Sequence, residues 1–225
     1  MSRYLRNFNT LSHEEHETLR KSKVCVVGCG GLGGHIIEML GRIGLGTITA
    51  VDGDVFEESN LNRQILSDES TIGQSKARTA KKRMNLVNSE VELIAIVDFL
   101  DDSNAESILA GHQVVVDALD NIPSRLVLQK ACKKLGIPLV YGAIAGWYGQ
   151  VSTIFPGDDT LNKLYRDDLE KGIEKELGNP SFTPGLIASI EVSEVVKILI
   201  KRGDLLRNKL LFINTLDQDY EVLNI

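Results

Sequence analysis

Hydrophobic and polar residues follow a repeating order through the first part of the chain. Short apolar runs that end at glycine or aspartate predict buried strands, and apolar residues recurring every three or four positions between them predict helices. Strands are predicted at residues 24–27, 47–51, 91–97, 114–117 and 139–143, with helices at 32–43, 75–88, 103–110 and 123–135. Strands that alternate with helices form right-handed crossovers around a parallel sheet, so the pattern predicts an α/β fold with helices on both faces of a mostly parallel sheet.

The two ends of the chain depart from this alternation. Residues 1–22 are polar and predict an N-terminal lead-in helix, in which Ser12 and Glu15 have the spacing of a capping box. No internal repeat or low-complexity linker interrupts the chain, so residues 1–225 are predicted to form a single domain. The remaining predicted elements are later antiparallel strands at 148–155 and 209–213, a long crossover loop at about 156–184 and an amphipathic helix at 185–202.

The composition limits the classes to which the protein can belong. Lys and Arg number 25 against 31 Asp and Glu, a net charge of -6, so the chain as a whole lacks a strongly basic nucleic-acid footprint. It also lacks an apolar run of transmembrane length and the apolar core of a signal peptide, so we expect a cytoplasmic protein with no membrane partner. Three cysteines cannot supply a four-thiolate zinc site within one chain, and no structural zinc is expected.

A glycine-rich turn follows the first predicted strand and opens the next predicted helix. Glycine lets the backbone turn sharply and approach a phosphate, and a helix N-terminus offers N–H groups to an anion. Asp52 ends the next strand, where a carboxylate can accept hydrogen bonds from ribose hydroxyls. These elements predict a nucleotide site in a Rossmann-like sheet, for either NAD or ATP. The G-x-G-x-x-G pattern of the turn consists of Gly28, Gly30 and Gly33, with Gly31 between them.

Side chains downstream of Asp52 distinguish between these two nucleotides. A dehydrogenase requires one carboxylate here and an apolar slot for nicotinamide. This chain instead places Arg63 and Lys76 after the ribose-binding acid, and cations suit a triphosphate whose charge must be neutralised while a bond breaks. The side chains expected around the nucleotide are Asp52, Asp54, Asn60, Arg63, Gln64 and Lys76.

A further acidic segment, DALDN at 117–121, ends the fourth predicted strand. Ligands bind at this edge of open α/β sheets, and a carboxylate such as Asp120 can hold Mg²⁺ beside phosphates. The same residues can instead cap the next helix, with Pro123 in its first turn. The spacing alone leaves both interpretations open.

The ordered set of motifs resembles the ThiF/MoeB/HesA family, the bacterial relatives of ubiquitin-activating enzymes. The matches run from the start of the chain to about residue 156, with weaker similarity in the helix after residue 184. The matching stretches are RYLRN (3–7), VGCGGLGG (27–34), VDGDVFEESNLNRQ (51–64), GQSKA (73–77), DALDN (117–121) and GAIAGWYGQ (142–150).

The resemblance implies ATP-dependent adenylation of the C-terminal glycine carboxylate of a ubiquitin-like sulfur-carrier protein ending in Gly-Gly, of the thiamine or molybdopterin type. Pyrophosphate would be released. The glycine turn would line ATP and Asp52 would bind its ribose, with Asp54 close behind. Arg6 matches the family arginine that reaches across a homodimer into the partner's site. The resemblance further assigns phosphate contacts to Asn60, Arg63 and Lys76 and Mg²⁺ to Asp120, so the implied catalytic residues are Arg63, Lys76, Asp120 and Arg6.

The chain departs from the family pattern in its cysteines. Many members carry two zinc-binding Cys-x-x-Cys pairs and a cysteine in the crossover loop, and this chain has neither. The resemblance therefore implies adenylation without a covalent thioester on this chain.

Several alternatives stay open at this point. The acyl group could instead be a peptide C-terminus or a tRNA-base carboxylate, and the chain could be an NAD-dependent oxidoreductase or a non-catalytic binding subunit. The basic stretch 76–83 can be interpreted as a tRNA-binding face, although such a run is more often the solvated side of a helix. The sequence does not name the carrier or its pathway.

Overall fold

The computed structural model describes residues 2–165 and 174–225, and a single sheet forms its centre. The strands are β1 Lys23–Val27, β2 Thr47–Val51, β3 Glu92–Ile96, β4 Val114–Asp117, β5 Leu139–Ala145, β6 Tyr148–Ile154, β7 Lys209–Asn214 and β8 Asp219–Asn224. The helices are α1 His13–Lys21, α2 Gly31–Ile43, α3 Lys76–Val87, α4 Ala105–Leu109, α5 Ile122–Leu135, α6 Thr160–Leu164, α7 Glu174–Leu177 and α8 Phe182–Ile200.

The order of the strands determines where a ligand can bind. Across the sheet they run β3-β2-β1-β4-β5-β6-β7-β8. The first five pair in parallel, whereas β6, β7 and β8 are added in antiparallel orientation. Because the chain order reverses between β1 and β4, the carboxyl ends of these two strands diverge and leave a crevice.

Helices cover both faces of the sheet and bury its central strands. α2 packs between α3 and α8 on one face, with α1 beside α8, while α5 packs with α4 and α6 on the other face. β4 is completely buried, as expected for a strand covered on both sides. Glu38 on α2 links two helices, because its carboxylate accepts hydrogen bonds from Arg42 and from Arg83 on α3.

The predicted fold class is confirmed, but the N-terminal prediction is partly wrong. The helix predicted over 1–22 is confined to α1, and a 3-10 turn and irregular backbone precede it. Ser12 does form the predicted capping box with Glu15. Asn9 has a left-handed backbone, with φ of 80°, which no continuous right-handed helix accommodates.

The second half of the chain also differs in detail from the prediction. The predicted crossover loop contains α6 and α7, and residues 166–173 lie outside the described residues. α8 begins three residues early, with Pro184 in its first turn, where a missing N–H costs nothing. β8 was not predicted. None of the helices in the described part of the chain is long and apolar enough to cross a lipid bilayer.

Candidate active site

A cleft of about 1050 Å³ opens at the carboxyl ends of β1 and β4. The strand order gives it two sides, which we call the glycine arm and the hairpin arm. The loops after β1, β2 and β3 form the glycine arm, and the β5–β6 hairpin with β7 forms the hairpin arm. The glycine arm contains residues 28–31, 52–54, 63–64, 76 and 98–100; the hairpin arm contains residues 143–145, 148–150, 164–165, 179 and 212.

The predicted glycines have two structural roles: three line the cleft, and one allows close packing of a helix. Gly28, Gly30 and Gly31 line the cleft, and Gly28 has a φ of 101° that disfavours any side chain. A Cβ atom at Gly33 would overlap the carbonyl oxygen of Gly28, so Gly33 allows α2 to pack tightly against the turn. An added Cβ at Gly31 would meet Pro184 at 3.6 Å and Arg63 at 3.8 Å, which are ordinary van der Waals contacts.

Asp52, Asp54 and Lys76 form the acidic and cationic floor of the glycine arm. Asp52 Oδ2 accepts a hydrogen bond from the Cys29 amide at 2.7 Å, and its Oδ1 accepts one from the Asp54 amide at 2.8 Å. Burial raises the pKa of Asp52 despite these bonds. Lys76 Nζ lies 3.3 Å from Asp54 Oδ2, and only 10% of the Lys76 side chain is exposed. The Lys76 ammonium lines the cleft, where it can contact a bound anion.

Arg63 and Gln64 lie at the mouth of the same arm, whereas Asn60 does not line the cleft. Arg63 Nη1 donates to the carbonyl oxygen of Ser59 at 3.0 Å. Gln64 is buried beside Gly30. Asn60 Oδ1 accepts a hydrogen bond from the Glu57 amide at 3.1 Å and so stabilises its own turn; a phosphate contact for Asn60 stays a prediction.

In the segment after β4 the structure shows the helix cap, and the magnesium role of Asp120 stays a prediction. Asn121 caps α5, because its Oδ1 accepts a hydrogen bond from the Ser124 amide at 2.9 Å, and Pro123 follows in the first turn. Asp120 is exposed and lines the cleft between the two arms. The described residues contain no cluster of three metal-ligating side chains. A single carboxylate nevertheless fits Mg²⁺, which is commonly held by one or two carboxylates together with substrate phosphates.

Arg6 lies far from the cleft of its own chain. Its neighbours pack at the C-terminal end of α2: Tyr4 packs against Gly44, and Asn7 Nδ2 donates to the carbonyl oxygen of Ile43 at 3.2 Å. The glycine turn is at the other end of this 13-residue helix, about 20 Å away. Arg6 therefore cannot complete the site within one chain.

The hairpin arm contains residues that were not among the predicted site residues, although several of them belong to the matching stretch 142–150. The small side chains of Ala143 and Ala145 leave space along one wall of the cleft. Tyr148 stacks on Phe212, with the ring centroids 6.0 Å apart. On the glycine arm, Phe99 is 65% exposed and covers Gly53, where a Cβ would lie 2.7 Å from the ring. An exposed aromatic ring beside the ribose-binding acid offers an apolar surface to a nucleobase.

A buried charged cluster supports the floor of the cleft. Arg125 Nε lies 4.0 Å from Asp117 Oδ2, and both groups are buried. Burial opposes the charge of Arg125, but the neighbouring carboxylate raises its pKa overall. Glu191 on α8 lies in the same cluster, packed against Gly142, and burial raises the pKa of Glu191 well above its usual value. Arg125 is a single cation beside two buried carboxylates, and burial favours the neutral form of Glu191.

Comparison with known proteins identifies the family. The model of the ThiF family matches residues 1–225. The chain belongs to the ThiF family. The resemblance seen in the sequence is thereby confirmed. The matching stretches from residue 27 onward all contribute residues to the cleft, whereas RYLRN (3–7) does not.

Relatives within the ThiF family are named as activating enzymes. The SAMP-activating enzyme E1 of Haloferax volcanii is 35% identical over 228 residues, covering 99% of this chain and 84% of that protein. The sulfur carrier protein adenylyltransferase of Thermus thermophilus is 33% identical over 221 residues, covering 94% of this chain and 82% of the relative. The Escherichia coli molybdopterin-synthase adenylyltransferase is 32% identical over 193 residues, covering 83% of this chain and 76% of the relative.

Solved structures of the same architecture support the fold. Escherichia coli MccB with ATP superposes with a TM-score of 0.84 at 23% identity, covering 100% of this chain and 71% of that chain. The tRNA N6-threonylcarbamoyladenosine dehydratase TcdA of Escherichia coli, in complex with ATP, superposes with a TM-score of 0.77 at 22% identity. The match covers 89% of this chain and 94% of that chain.

The basic stretch 76–83 does not act as one surface in the ThiF fold. Lys76 points into the cleft, and Arg83 binds Glu38. Arg78, Lys81 and Lys82 are exposed on α3. The stretch therefore divides between the site, a helix–helix ion pair and a solvated face.

Proposed function

We propose that this ThiF-family chain adenylates the C-terminal glycine carboxylate of a ubiquitin-like sulfur-carrier protein and releases pyrophosphate from ATP. One observation carries the proposal. A single cleft contains the glycine turn, the cations Arg63 and Lys76, and a hairpin arm in which the small side chains of Ala143 and Ala145 leave space. The relatives named as sulfur-carrier and molybdopterin-synthase adenylyltransferases support the same choice of substrate.

The glycine arm would hold ATP. The free N–H groups at the start of α2 suit the phosphates, Asp52 suits the ribose hydroxyls, and Phe99 suits the base. Lys76 and Arg63 would neutralise the β- and γ-phosphates, which leave as pyrophosphate. Magnesium, held by Asp120 together with phosphate oxygens, would supply further neutralisation of the triphosphate.

The hairpin arm would admit the acyl chain. A carboxylate oxygen attacks the α-phosphorus, forming a carboxyl–phosphate bond while the α–β phosphoanhydride bond breaks with its electron pair on pyrophosphate. The carboxylate is already deprotonated at neutral pH and needs no general base. The chain's part in this step is positioning and charge stabilisation, and no cysteine lines the described cleft.

We also propose a homodimer in which Arg6 enters the partner subunit's cleft. The remote position of Arg6 in its own chain and the family motif around it support this arrangement. A mixture of Arg6→Ala and Lys76→Met proteins should regain activity that neither variant has alone, because one mixed site would keep both cations. Absence of recovery, after subunit exchange is verified, would remove the trans role.

ATP–pyrophosphate exchange tests the proposed reaction. Purified protein is incubated with carriers ending in Gly-Gly, with carriers truncated by one glycine, with free peptides and with tRNA. Exchange that requires the intact Gly-Gly carrier supports the proposal. Exchange with peptide or tRNA alone would assign the site to another acyl substrate, and tighter binding of NAD than of ATP would indicate an oxidoreductase.

A further inference from the structure

A chain of hydrogen bonds runs from the buried Arg125 to the hairpin arm. Arg125 Nη1 lies 3.1 Å from Tyr165 Oη, which lies 2.6 Å from Tyr141 Oη. Tyr141 Oη in turn lies 3.3 Å from Gln150 Oε1. We call these four side chains the Arg125–Gln150 relay. Two further contacts hold the Arg125 guanidinium in place. Its Nη2 donates to the carbonyl oxygen of Leu119, and its Nε faces Asp117.

The Gln150 orientation gives the relay its direction. Gln150 Oε1 faces Tyr141, and an amide oxygen only accepts, so Tyr141 donates its proton to Gln150. With the Tyr141 proton used in this way, Tyr165 donates to Tyr141. A guanidinium donates and never accepts, so Tyr165 Oη accepts the bond from Arg125. Burial raises the pKa of Tyr141 well above its usual value, so this hydroxyl keeps its proton.

The same orientation determines which end of the Gln150 amide faces the cleft. With Oε1 occupied by Tyr141, the Nε2 group and its two N–H donors lie on the other side of the amide, and Gln150 lines the hairpin arm. Ala143, which pairs with Gln150 across the hairpin, and the nearby Ala145 leave space in front of it. An extended acyl chain brings main-chain carbonyl oxygens into such a space, and these require donors.

We propose that the Gln150 amide donates a hydrogen bond to a main-chain carbonyl oxygen of the acyl substrate's C-terminal segment. Arg125, Tyr165 and Tyr141 are positioning residues that hold the amide in its donating orientation. The inference rests on the proposed adenylation and deepens it, because it names a residue that binds the acyl chain and not the nucleotide.

The test compares Michaelis constants for the two substrates in pyrophosphate exchange. Gln150→Met keeps the length of the side chain but removes its donors, so the KM for the Gly-Gly carrier should rise about tenfold while the KM for ATP stays unchanged. Tyr165→Phe cuts the relay and should raise the carrier KM by a smaller factor. Tyr220→Phe is the matched control, since that hydroxyl is on the exposed strand β8.

The outcomes separate this inference from the proposed function. A carrier KM in Gln150→Met within about twofold of wild type, or carrier and ATP KM values that rise together, would overturn the role of Gln150. Loss of exchange in the wild-type protein with every carrier would overturn the adenylation proposal itself. Tyr165→Phe removes one oxygen atom and so keeps the test decisive if Gln150→Met is poorly folded.

Discussion

Replacing Lys76 by methionine should remove most of the activity and little of the stability. An ammonium about 4 Å from a phosphate oxygen, at the effective dielectric of a partly buried site, is stabilised by about 4 kcal/mol. The neighbouring Asp54 offsets part of that gain at 3.3 Å, although its own side chain is 55% exposed and well screened. We therefore expect a loss of about 3 kcal/mol of transition-state stabilisation, or about a hundredfold in kcat/KM.

The assay is ATP–pyrophosphate exchange at saturating carrier, beside a thermal melt. Methionine matches the aliphatic stem of lysine, and Asp54 stays in contact with water, so the melting temperature should change little. Arg78→Ala removes an exposed cation two residues along α3 and should leave exchange unaffected. A Lys76→Met protein that folds normally and keeps kcat/KM within about threefold of wild type would refute the electrostatic role of Lys76.

Four further outcomes are expected. Asp120→Asn should raise the Mg²⁺ concentration needed for half-maximal exchange while ATP binding without metal stays the same, as a metal titration would measure. Phe99→Ala should raise the KM for ATP about tenfold and weaken discrimination against GTP in competition assays. Glu38→Gln should lower the free energy of unfolding by about 1–2 kcal/mol near neutral pH, measured in urea. Burial raises the pKa of Glu38, but hydrogen bonds from two arginines outweigh this and lower it; the stabilisation is therefore present above the usual glutamate pKa and disappears as the pH falls through the lowered value. Replacing all three cysteines by alanine should leave exchange in place, because the proposed step forms no enzyme thioester; complete loss in a folded variant would contradict it.

The parallel half of the fold could be predicted because its signals are local. β1 and β4 are buried on both faces, so each appears in the sequence as an uninterrupted apolar run. The glycine turn and the cap of α5 depend on neighbours within a few residues, and Asp52 directly follows an apolar run, so the sequence shows these features directly. β8 could not be found in this way, since all six of its residues are exposed and no buried face imposes alternation on them.

The hairpin arm could not be predicted because its contacts join distant segments. Tyr165 is 40 residues from Arg125, and Phe212 reaches Tyr148 from a different strand. No spacing rule links such pairs. Asn60 shows a contact that the motif did not reveal, because its amide oxygen accepts a hydrogen bond from the backbone of its own turn; its predicted phosphate contact stays a prediction.

The charge around the cleft supports the proposal that a second chain completes the site. Four aspartates and three cations line its described wall, and Arg125 among these cations already faces the buried Asp117. Two cations then remain for a triphosphate and a carboxylate, two anions that repel each other as they approach. The chain as a whole adds no help, since its net charge is -6. We propose that further positive charge comes from two sources for which this sequence provides a place, a divalent cation at Asp120 and Arg6 of a second copy.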